Sequence, residues 1–442
     1  MTTPLDSPLY GEMRQRAREI FNYALGECNI PTAMQRHVEL QGRRLRIGDG
    51  NYDLNGFSAI TVVSIGKAGH TLARAISDIV GCDLRGIISC PDPPSAPVPG
   101  FRYFIGGHPL PNADSLRAGE AILEMLSLAA PDTLTIFLVS GGASAIAEKP
   151  IATAITLDDV VAAYKALVHS GAPISEINAV RKHLSALKGG RMAQAAAPSR
   201  QVSILVSDVP ENALDALASG PTMPDTSTAA DCYAIASKYE LLPRFPSGVR
   251  RLFEQSELQE TPKAQDPAFA RSRYVTVLSN ATALKAAGEM AMRSGFVVEV
   301  DNSCDDWDYD AAADYLLSRL NELRQKVSRV CLISGGEVTV KAGNNPGTGG
   351  RNQQFALYCA QKIEAQPITV LSAGTDGIDG NSRAAGAVAD GSTVARAKEK
   401  KLDAAVALQE LNAFPFFDPL GDAIMTGPTG NNVRDLRVLL AY

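Results

Sequence analysis

Several short stretches of the chain combine glycine and serine with charged side chains, a composition suited to binding phosphate or carboxylate groups. The first is LVSGGASA at 138–145, where an apolar run ends in two glycines and two serines with no charge among them. Glycine has no side chain, so it lets an anion approach the backbone N–H groups of such a loop. We therefore expect a phosphate to contact Ser140, Gly141, Gly142, Ala143 and Ser144.

Two other stretches in the same half place a charged side chain just after an apolar run. SIGKAGH (64–70) sets Lys67 between two glycines, where an ammonium group can donate to a phosphoryl oxygen or a carboxylate. The stretch has neither Walker A nor dinucleotide-binding glycine spacing. VSDVPEN (206–212) sets Asp208 and Glu211 after the next run. A carboxylate there suits Mg²⁺ or a substrate hydroxyl, and helix capping is the alternative for Asp208.

A pair of cations lies on NAVRKHLSALKGGRMAQAAA (178–197), which the periodicity predicts to be a helix broken at its double glycine. Arg181 and Lys188 are seven residues apart, so they share one stripe of that helix. The stripe either binds a substrate anion or is simply solvated.

The richest stretch is SGGEVTVKAGNNPGTGGRNQQ (334–354), in which Glu337 follows an apolar run and Arg351 begins a predicted helix. An arginine at a helix N-terminus can bind a carboxylate or phosphate through two parallel hydrogen bonds. SAGTDGIDG (372–380) adds Asp376 and Asp379 in another glycine-rich loop. In this half the expected nucleotide or phosphate contacts are Gly335, Gly336, Glu337, Gly349, Gly350 and Asp376.

The elements that must position these groups are apolar runs that alternate with helical periodicity. The runs in the first half are AITVVSIG (59–66), RGIISC (85–90), RYFIGG (102–107), LTIFLVSGG (134–142) and VSILVSDV (202–209). Such alternation predicts a parallel sheet covered on both faces, and in open α/β sheets ligands bind beyond the carboxyl ends of the strands.

The chain is long enough for two domains. A second alternating series begins with RYVTVLSN (273–280) and predicts a second α/β domain. Residues 242–270 are rich in proline and charge and are expected to form a linker with one short helix. We therefore place the domains at 1–255 and 270–442.

Composition excludes several classes of function. The net charge of -6, without a basic stripe, argues against nucleic acid or a membrane surface as partner. Without a signal-peptide pattern or a long apolar window, the expected location is the cytoplasm. Seven scattered cysteines and five histidines show no metal-binding spacing, which favours reduced thiols over disulfides or zinc. We expect a monomer or homodimer that acts on a small molecule.

Taken alone, these residues predict a two-domain α/β enzyme that handles phosphate. Cationic and acidic groups beside several anion-binding loops, with no nucleophile pattern, favour phosphoryl transfer over hydrolysis.

The order of the motifs resembles one known family. SIGKAGH, GGHPLPNADS, LVSGGASA, NAVRKHLSALKGGRMA, VSDVPEN with SGPT, SGGEVTV, GTGGRNQQ, GTDGIDG and TGPTGNNVRDL follow one another as they do in class II glycerate kinases, the glycerate 2-kinases with a MOFRL domain. The resemblance runs from about Tyr10 to the C-terminus. One departure is Ala143, which replaces the third glycine of the SGGGSA common in relatives.

The resemblance implies a larger Rossmann-like N-terminal domain, a smaller α/β C-terminal MOFRL-type domain, and an active site in the cleft between them. It also implies ATP, Mg²⁺ or another divalent cation, and direct in-line transfer to the 2-hydroxyl of D-glycerate. The family's catalytic positions fall on Lys67, Asp208 and Arg351. The expected substrate-binding residues are Lys67, His108, Arg181, Lys188 and Arg351, and the candidate metal ligands are Asp208 and Glu337.

Two alternatives remain at this stage. Relatives have often been labelled hydroxypyruvate reductases, which use NAD(P)H, but no G-x-G-x-x-G follows a predicted strand here. A non-catalytic sensor of small phosphorylated acids would need the anion-binding loops but not Asp208.

Overall fold

The computed structural model describes residues 7–81, 84–341, 343 and 346–442. The chain divides into two compact units. The first unit is Ile30–Val277, and the second unit combines Met1–Asn29 with Leu278–Tyr442. No helix in the described part of the chain is long and apolar enough to cross a membrane.

The regular elements alternate along most of the chain. In order, the helices are α1 Pro8–Glu27, α2 Ile30–His37, α3 Gly69–Val80, α4 Ala113–Ser127, α5 Ala143–Ile146, α6 Leu157–Val168, α7 Ile174–His183, α8 Arg191–Ala196, α9 Ala229–Lys238, α10 Ser247–Glu254, α11 Asn280–Arg293, α12 Tyr309–Arg324, α13 Arg351–Lys362, α14 Thr393–Glu399, α15 Ala404–Gln409 and α16 Ala413–Phe417. The strands are β1 Val38–Gln41, β2 Arg44–Ile47, β3 Gly50–Asp53, β4 Ala59–Ile65, β5 Arg85–Cys90, β6 Phe101–Ile105, β7 Thr133–Ser140, β8 Arg200–Val206, β9 Ser272–Leu278, β10 Val297–Val300, β11 Val330–Ser334, β12 Ile368–Gly374, β13 Gly386–Asp390, β14 Ala423–Ile424 and β15 Asp435–Ala441.

The main sheet of the first unit has the strand order β6-β5-β4-β7-β8-β9. The pairs from β6 to β8 are parallel, and β7 is buried at every position, as expected for a strand covered on both faces. After β4 the chain adds β5 and β6 on one side of that strand, and it then adds β7 on the other side. The strand order therefore reverses between β4 and β7, where doubly wound sheets bind ligands. The predicted parallel α/β sheet is confirmed.

The linker expected over 242–270 is wrong, because this segment is part of the first unit. Apolar side chains from it pack into a helical cluster with α6, α7 and α9, while the charged side chains stay nearer the surface. Val249, Leu252 and Phe253 of α10 have the i, i+3, i+4 spacing of a buried helix face, so the signal was present in the sequence.

The sheet of the second unit is mixed, with the order β10-β11-β15-β12-β13-β14. Its β10–β11 pair is parallel, whereas the pairs from β11 to β14 are antiparallel. The C-terminal strand β15 lies between β11 and β12 and runs opposite to both. Its first residues therefore lie beside the last residues of its neighbours, with Arg437 opposite Ser334 and Asp435 opposite Gly374.

Two segments belong to different units from those expected. The strand predicted over 273–280 is β9, which lies at the edge of the first sheet. The N-terminal helix α1 belongs to the second unit, where Met13, Ala17 and Phe21 pack with α11 and the sheet. The physical reason is that the apolar stripe of α1 completes the core on one face of the second sheet, so α1 does not fold with residues 30–255.

Truncating the α1 stripe is expected to destabilise the second unit. Phe21 is fully buried, and Phe21→Ala should lower the free energy of unfolding of that unit by about 3–5 kcal/mol. Denaturant unfolding, followed by a probe in the second unit, measures the change. Glu12→Ala, at an exposed position of the same helix, is the control and should change stability by less than about 0.5 kcal/mol. Equal stability of the two variants would contradict the assignment of α1.

Candidate active site

The loops that follow β4 and β7 in the first unit are bonded to each other. The Lys67 N–H donates to the Gly141 carbonyl (2.9 Å), and the Ala68 N–H donates to Ser140 Oγ (3.0 Å). Gly66 has a φ of +116°, and a Cβ there would lie 2.4 Å from Ser140 Oγ, so only glycine permits this approach. These hydrogen bonds join the two loops between β4 and β7, where the strand order of the sheet reverses.

The loop after β7 presents backbone N–H groups to solvent or a ligand. Within the described residues, no backbone carbonyl accepts from the N–H groups of Gly141, Gly142, Ala143 or Ser144. Gly142 and Ser144 are partly exposed, and Gly142 has a left-handed φ of +80°. Ala143 is the first residue of α5, so it has a helical backbone that does not require the glycine usual in relatives.

Three of the side chains predicted to act at the site lie beside this loop. A Cβ built on Gly141 would lie 1.9 Å from Oδ2 of Asp208, so the Asp208 carboxylate lies directly against the loop backbone. A Cβ on Gly142 would lie 3.0 Å from His108 Cδ2 and 3.1 Å from Lys67 Cγ. Partial burial and the nearby Lys67 ammonium lower the pKa of His108, which favours its neutral imidazole at pH 7. The structure thus brings together Lys67, His108 and Asp208, as the sequence predicts.

Adding a side chain at Gly141 is expected to displace the Asp208 carboxylate. Because the new methyl group cannot share space with Oδ2, Gly141→Ala should reduce kcat by about 100-fold, the usual cost of moving a reacting group by about 1 Å. Steady-state kinetics measure the loss. Gly56→Ala in the same unit meets no atom within 4 Å and is the control. Normal turnover of Gly141→Ala would show that the position of Asp208 is unimportant.

Ser219, in the SGPT motif, is a site residue that sequence reasoning missed. Its hydroxyl lies 2.9 Å from Ser144 Oγ. Ala218, Ser219 and Gly220 all have left-handed φ values (54°, 58° and 60°), which is unusual because only one of these three residues is glycine. The Gly189 and Gly190 N–H groups donate to the carbonyls of Ser219 and Gly220, so the double glycine supports this turn. The tight SGPT turn beside a double glycine was the available signal.

Arg181 and Lys188 do not share a helical stripe, because α7 ends at His183 and α8 begins only at Arg191. Lys188 is 1% exposed, and its ammonium pairs with the buried Glu148 carboxylate. Glu148 also accepts hydrogen bonds from the Tyr164 and Ser185 hydroxyls.

This placement corrects the expectation that Lys188 binds substrate, since its charge is already satisfied inside the core. Arg181 is partly buried, and its guanidinium lies 4.8 Å from the centre of the Tyr164 ring. Arg181 and Lys188 therefore both contact the Tyr164 side chain. Helix periodicity did not predict this arrangement.

In the second unit, Arg351 makes its two parallel hydrogen bonds with the protein itself. Its Nε and Nη2 donate to Oδ2 and Oδ1 of Asp435 (2.7 and 3.0 Å), and Nη2 is also 2.8 Å from Glu337 Oε1. Burial acts to lower the pKa of Arg351, but the hydrogen bonds and charge of Asp435 raise it above its ordinary value. Arg351 is thus a permanent cation, and the bidentate partner that we expected from a ligand is Asp435.

The glycine-rich loops of the second unit differ from the anion-binding loops that we expected. The N–H groups of Gly335, Gly336 and Glu337 donate to Asn302 Oδ1 (2.8 Å), Asn280 Oδ1 (3.1 Å) and Asp305 Oδ1 (3.0 Å), respectively. Side-chain oxygens of the protein therefore occupy the positions in which a phosphate was expected.

The start of α13 is capped in the same way. The Asn352 and Gln353 N–H groups donate to the Asp379 carboxylate (3.1 and 2.9 Å), and the Gly349 N–H donates to Asn381 Oδ1 (2.9 Å). A Cβ on Gly350 would lie 2.3 Å from Asp379 Oδ1, so glycine is needed there for the carboxylate to approach. Burial raises the pKa of Asp379 to about 6, although these N–H groups act to lower it. The anion at this helix terminus is thus a protein carboxylate.

The remaining predicted acidic residue, Asp376, is in the loop after β12, at the sheet edge where β15 begins. Its Oδ1 accepts the Ile378 N–H (3.2 Å), and its carbonyl accepts the Thr429 N–H (3.1 Å). Among the residues that the structure describes, no three His, Cys, Asp or Glu side chains form a group that could hold a metal ion.

Two family sequence models match the chain, a domain of unknown function (DUF4147) over residues 16–254 and the MOFRL family over residues 330–435. The D-glycerate 2-kinase of Thermotoga maritima is 33% identical over 385 residues, which cover 85% of this chain and 89% of that protein. The chain belongs to this glycerate kinase family.

Solved structures agree with this membership. The crystal structure of glycerate kinase from Thermotoga maritima superimposes with a TM-score of 0.85 at 30% identity, and covers 98% of this chain and 100% of its own. An Agrobacterium vitis member of the family, 34% identical over 97% of this chain and 94% of its own length, carries a provisional hydroxypyruvate reductase name. The family thus includes proteins named for two different reactions.

Proposed function

We propose that the protein is a D-glycerate 2-kinase, which transfers the γ-phosphoryl group of ATP to the 2-hydroxyl of D-glycerate. The observation that carries the proposal is the convergence of Lys67 and Asp208 on the backbone of residues 141–144, whose N–H groups meet no backbone carbonyl among the described residues, at the point of strand reversal. An anion-binding loop, a cation and a carboxylate are the parts that phosphoryl transfer needs. The kinase names of the similar proteins support the same reaction.

In this mechanism the Asp208 carboxylate orients the 2-hydroxyl of glycerate and accepts its proton. The hydroxyl oxygen forms a bond to the γ-phosphorus while the bond from that phosphorus to the β,γ-bridging oxygen breaks, which releases ADP. The N–H groups of residues 141–144 and the Lys67 ammonium stabilise the negative charge on the phosphoryl oxygens. Neutral His108, beside Lys67, donates a hydrogen bond to the substrate.

We assign Arg351 of the second unit to the same reaction, as a cation for the glycerate carboxylate or the transferred phosphoryl group. Its Nε and Nη2 serve Asp435, so Nη1 is the nitrogen that contacts the ligand.

Residues of the first unit are suited to one Mg²⁺ ion held with the nucleotide. Mg²⁺ prefers oxygen ligands and usually takes only one or two protein carboxylates, with phosphates and water completing its shell. Asp208, which lies beside the loop, would supply such an oxygen ligand. Glu337 is less suited because Arg351 already pairs with it. When bound, the ion would neutralise charge on the nucleotide phosphates.

Reduction of hydroxypyruvate is the alternative function, since a relative carries a hydroxypyruvate reductase name and the first sheet is Rossmann-like. An assay that couples ADP formation to NADH oxidation through pyruvate kinase and lactate dehydrogenase, with D-glycerate, ATP and Mg²⁺, separates the two. It is run beside hydroxypyruvate with NADH or NADPH alone. Glycerate-dependent ADP release is expected. Oxidation of reduced cofactor by hydroxypyruvate without ADP release would favour the reductase, and binding without either reaction would favour the sensor.

A further inference from the structure

Asp435 holds the guanidinium of Arg351 in one plane. It is the first residue of β15, its side chain is 1% exposed, and its backbone pairs with Gly374 in the sheet. Both carboxylate oxygens accept from Arg351, at 2.7 and 3.0 Å. Two parallel hydrogen bonds to a planar guanidinium fix its orientation as well as its distance.

Asp435 is itself held by its surroundings. Arg437, two residues further along β15, is fully buried, and its Nη2 lies 3.7 Å from Asp435 Oδ2. Nη1 of Arg437 donates to the Gly335 carbonyl (2.8 Å), and Asn280 Nδ2 donates to the Asp435 carbonyl (3.0 Å). A buried carboxylate that accepts two hydrogen bonds from one arginine and lies beside a second has little freedom to move.

Arg351 differs from Asp435 in its exposure. The Arg351 side chain is 36% exposed, and its other carboxylate partner, Glu337, is 29% exposed. A partly exposed ion pair contributes little free energy, so an incoming anion can compete with Glu337 at small cost. In the ion pair between Arg351 and Asp435 the carboxylate is buried, so this pair persists when a ligand binds.

We propose that Asp435 is a positioning residue for the kinase reaction, which acts by fixing Arg351 so that Nη1 is aimed at the substrate anion. The inference rests on the proposed role of Arg351 in that reaction. It predicts that the effect of Asp435 on turnover passes through Arg351, and that Asp435 contributes little once Arg351 is gone.

A double-mutant cycle tests this coupling with Asp435→Asn, Arg351→Ala and the combined variant. We expect kcat to fall about 1,000-fold for Arg351→Ala and about 30-fold for Asp435→Asn, whereas the combined variant should be no more than about 3-fold worse than Arg351→Ala. Asp390→Asn is the matched control, since Asp390 is an equally buried aspartate paired with Arg14. It should lower Tm without changing kcat in either background.

Chemical rescue gives a readout that a purely structural role would not move. Guanidinium chloride at low millimolar concentration should restore part of the kcat of Arg351→Ala, because the Asp435 carboxylate can bind the free guanidinium ion. The rescue should disappear in the combined variant. If Asp435→Asn does not fold, Asp435→Glu replaces it throughout, since it keeps the charge beside Arg437 and displaces only the carboxylate.

The outcomes separate the inference from the proposed function. Losses that multiply in the combined variant, near-normal kcat of Asp435→Asn, or equal guanidinium rescue with and without Asp435 would each overturn the positioning role. Near-normal kcat of Arg351→Ala would instead remove Arg351 from the proposed mechanism.

Discussion

Asp208→Asn is expected to lower kcat for D-glycerate by about 1,000-fold while the protein stays folded. Asp208 is two residues after the end of β8, and its carboxylate lies against Gly141. An amide has the same shape as this carboxylate, so we expect the asparagine to fit in its place. Asparagine cannot accept the proton of the 2-hydroxyl, and its neutral oxygen is a weaker Mg²⁺ ligand. Steady-state kinetics with the ADP-coupled assay measure kcat, and thermal unfolding checks the fold.

The control for this prediction is Asp78→Asn, which makes the same chemical change at an exposed position of α3 in the same unit. Its kcat should stay within about twofold of the unsubstituted protein, as is usual for surface changes. If Asp208→Asn keeps more than about one tenth of the normal kcat, Asp208 is neither the base nor an essential metal ligand.

Lys67→Met is the second large effect that we expect, a fall in kcat of about 100-fold to 1,000-fold. Methionine keeps an aliphatic stem beside Gly142 but removes the ammonium group that offsets phosphoryl charge. The same substitution should raise the pKa of His108, because the Lys67 charge is one of the two causes that lower it. NMR titration of the His108 ring measures this shift, and the coupled assay measures kcat.

Lys165→Met, at an exposed position of α6, is the matched control and should alter neither quantity. An unchanged His108 pKa in Lys67→Met would show that the two side chains are further apart than the structure places them. A raised pKa with normal kcat would keep the geometry but remove Lys67 from the mechanism.

The positions of Lys67, Ser140 and Asp208 could be predicted because each of these residues follows directly from a local pattern. An apolar strand that runs into glycines places Lys67 and Ser140 at the carboxyl edge of a parallel sheet, and Asp208 follows the next strand in the same way. A parallel doubly wound sheet brings all such strand ends to one edge. The position of a residue just after a strand in the sequence was therefore enough to place it at this edge of the sheet.

The pairings of the buried cations could not be predicted, because their partners are distant in sequence. Lys188 is satisfied by Glu148, 40 residues earlier, and Arg351 by Asp435, 84 residues later. Nothing in the local composition of either segment indicates which carboxylate it will meet. Glycine next to a charge predicted an anion at the start of α13, but not that the anion would be Asp379 from the protein itself.

The direction of β15 in its sheet likewise could not be predicted from the sequence. The apolar run of β15 is compatible with either orientation, and only its insertion between β11 and β12 makes it antiparallel to both. That reversal is what carries Asp435 to the sheet edge where Arg351 lies. The placement of α1 depends in the same way on a core built from residues after 280.

The most direct test of the central claim is ³¹P NMR of a reaction that contains the unsubstituted protein, D-glycerate, ATP and Mg²⁺. The account predicts that the γ-phosphate signal of ATP is replaced by the signal of 2-phosphoglycerate, with one ADP formed for each product molecule. A signal from 3-phosphoglycerate would contradict the assignment of the 2-hydroxyl as acceptor. Inorganic phosphate alone, or unchanged ATP, would contradict phosphoryl transfer to glycerate altogether.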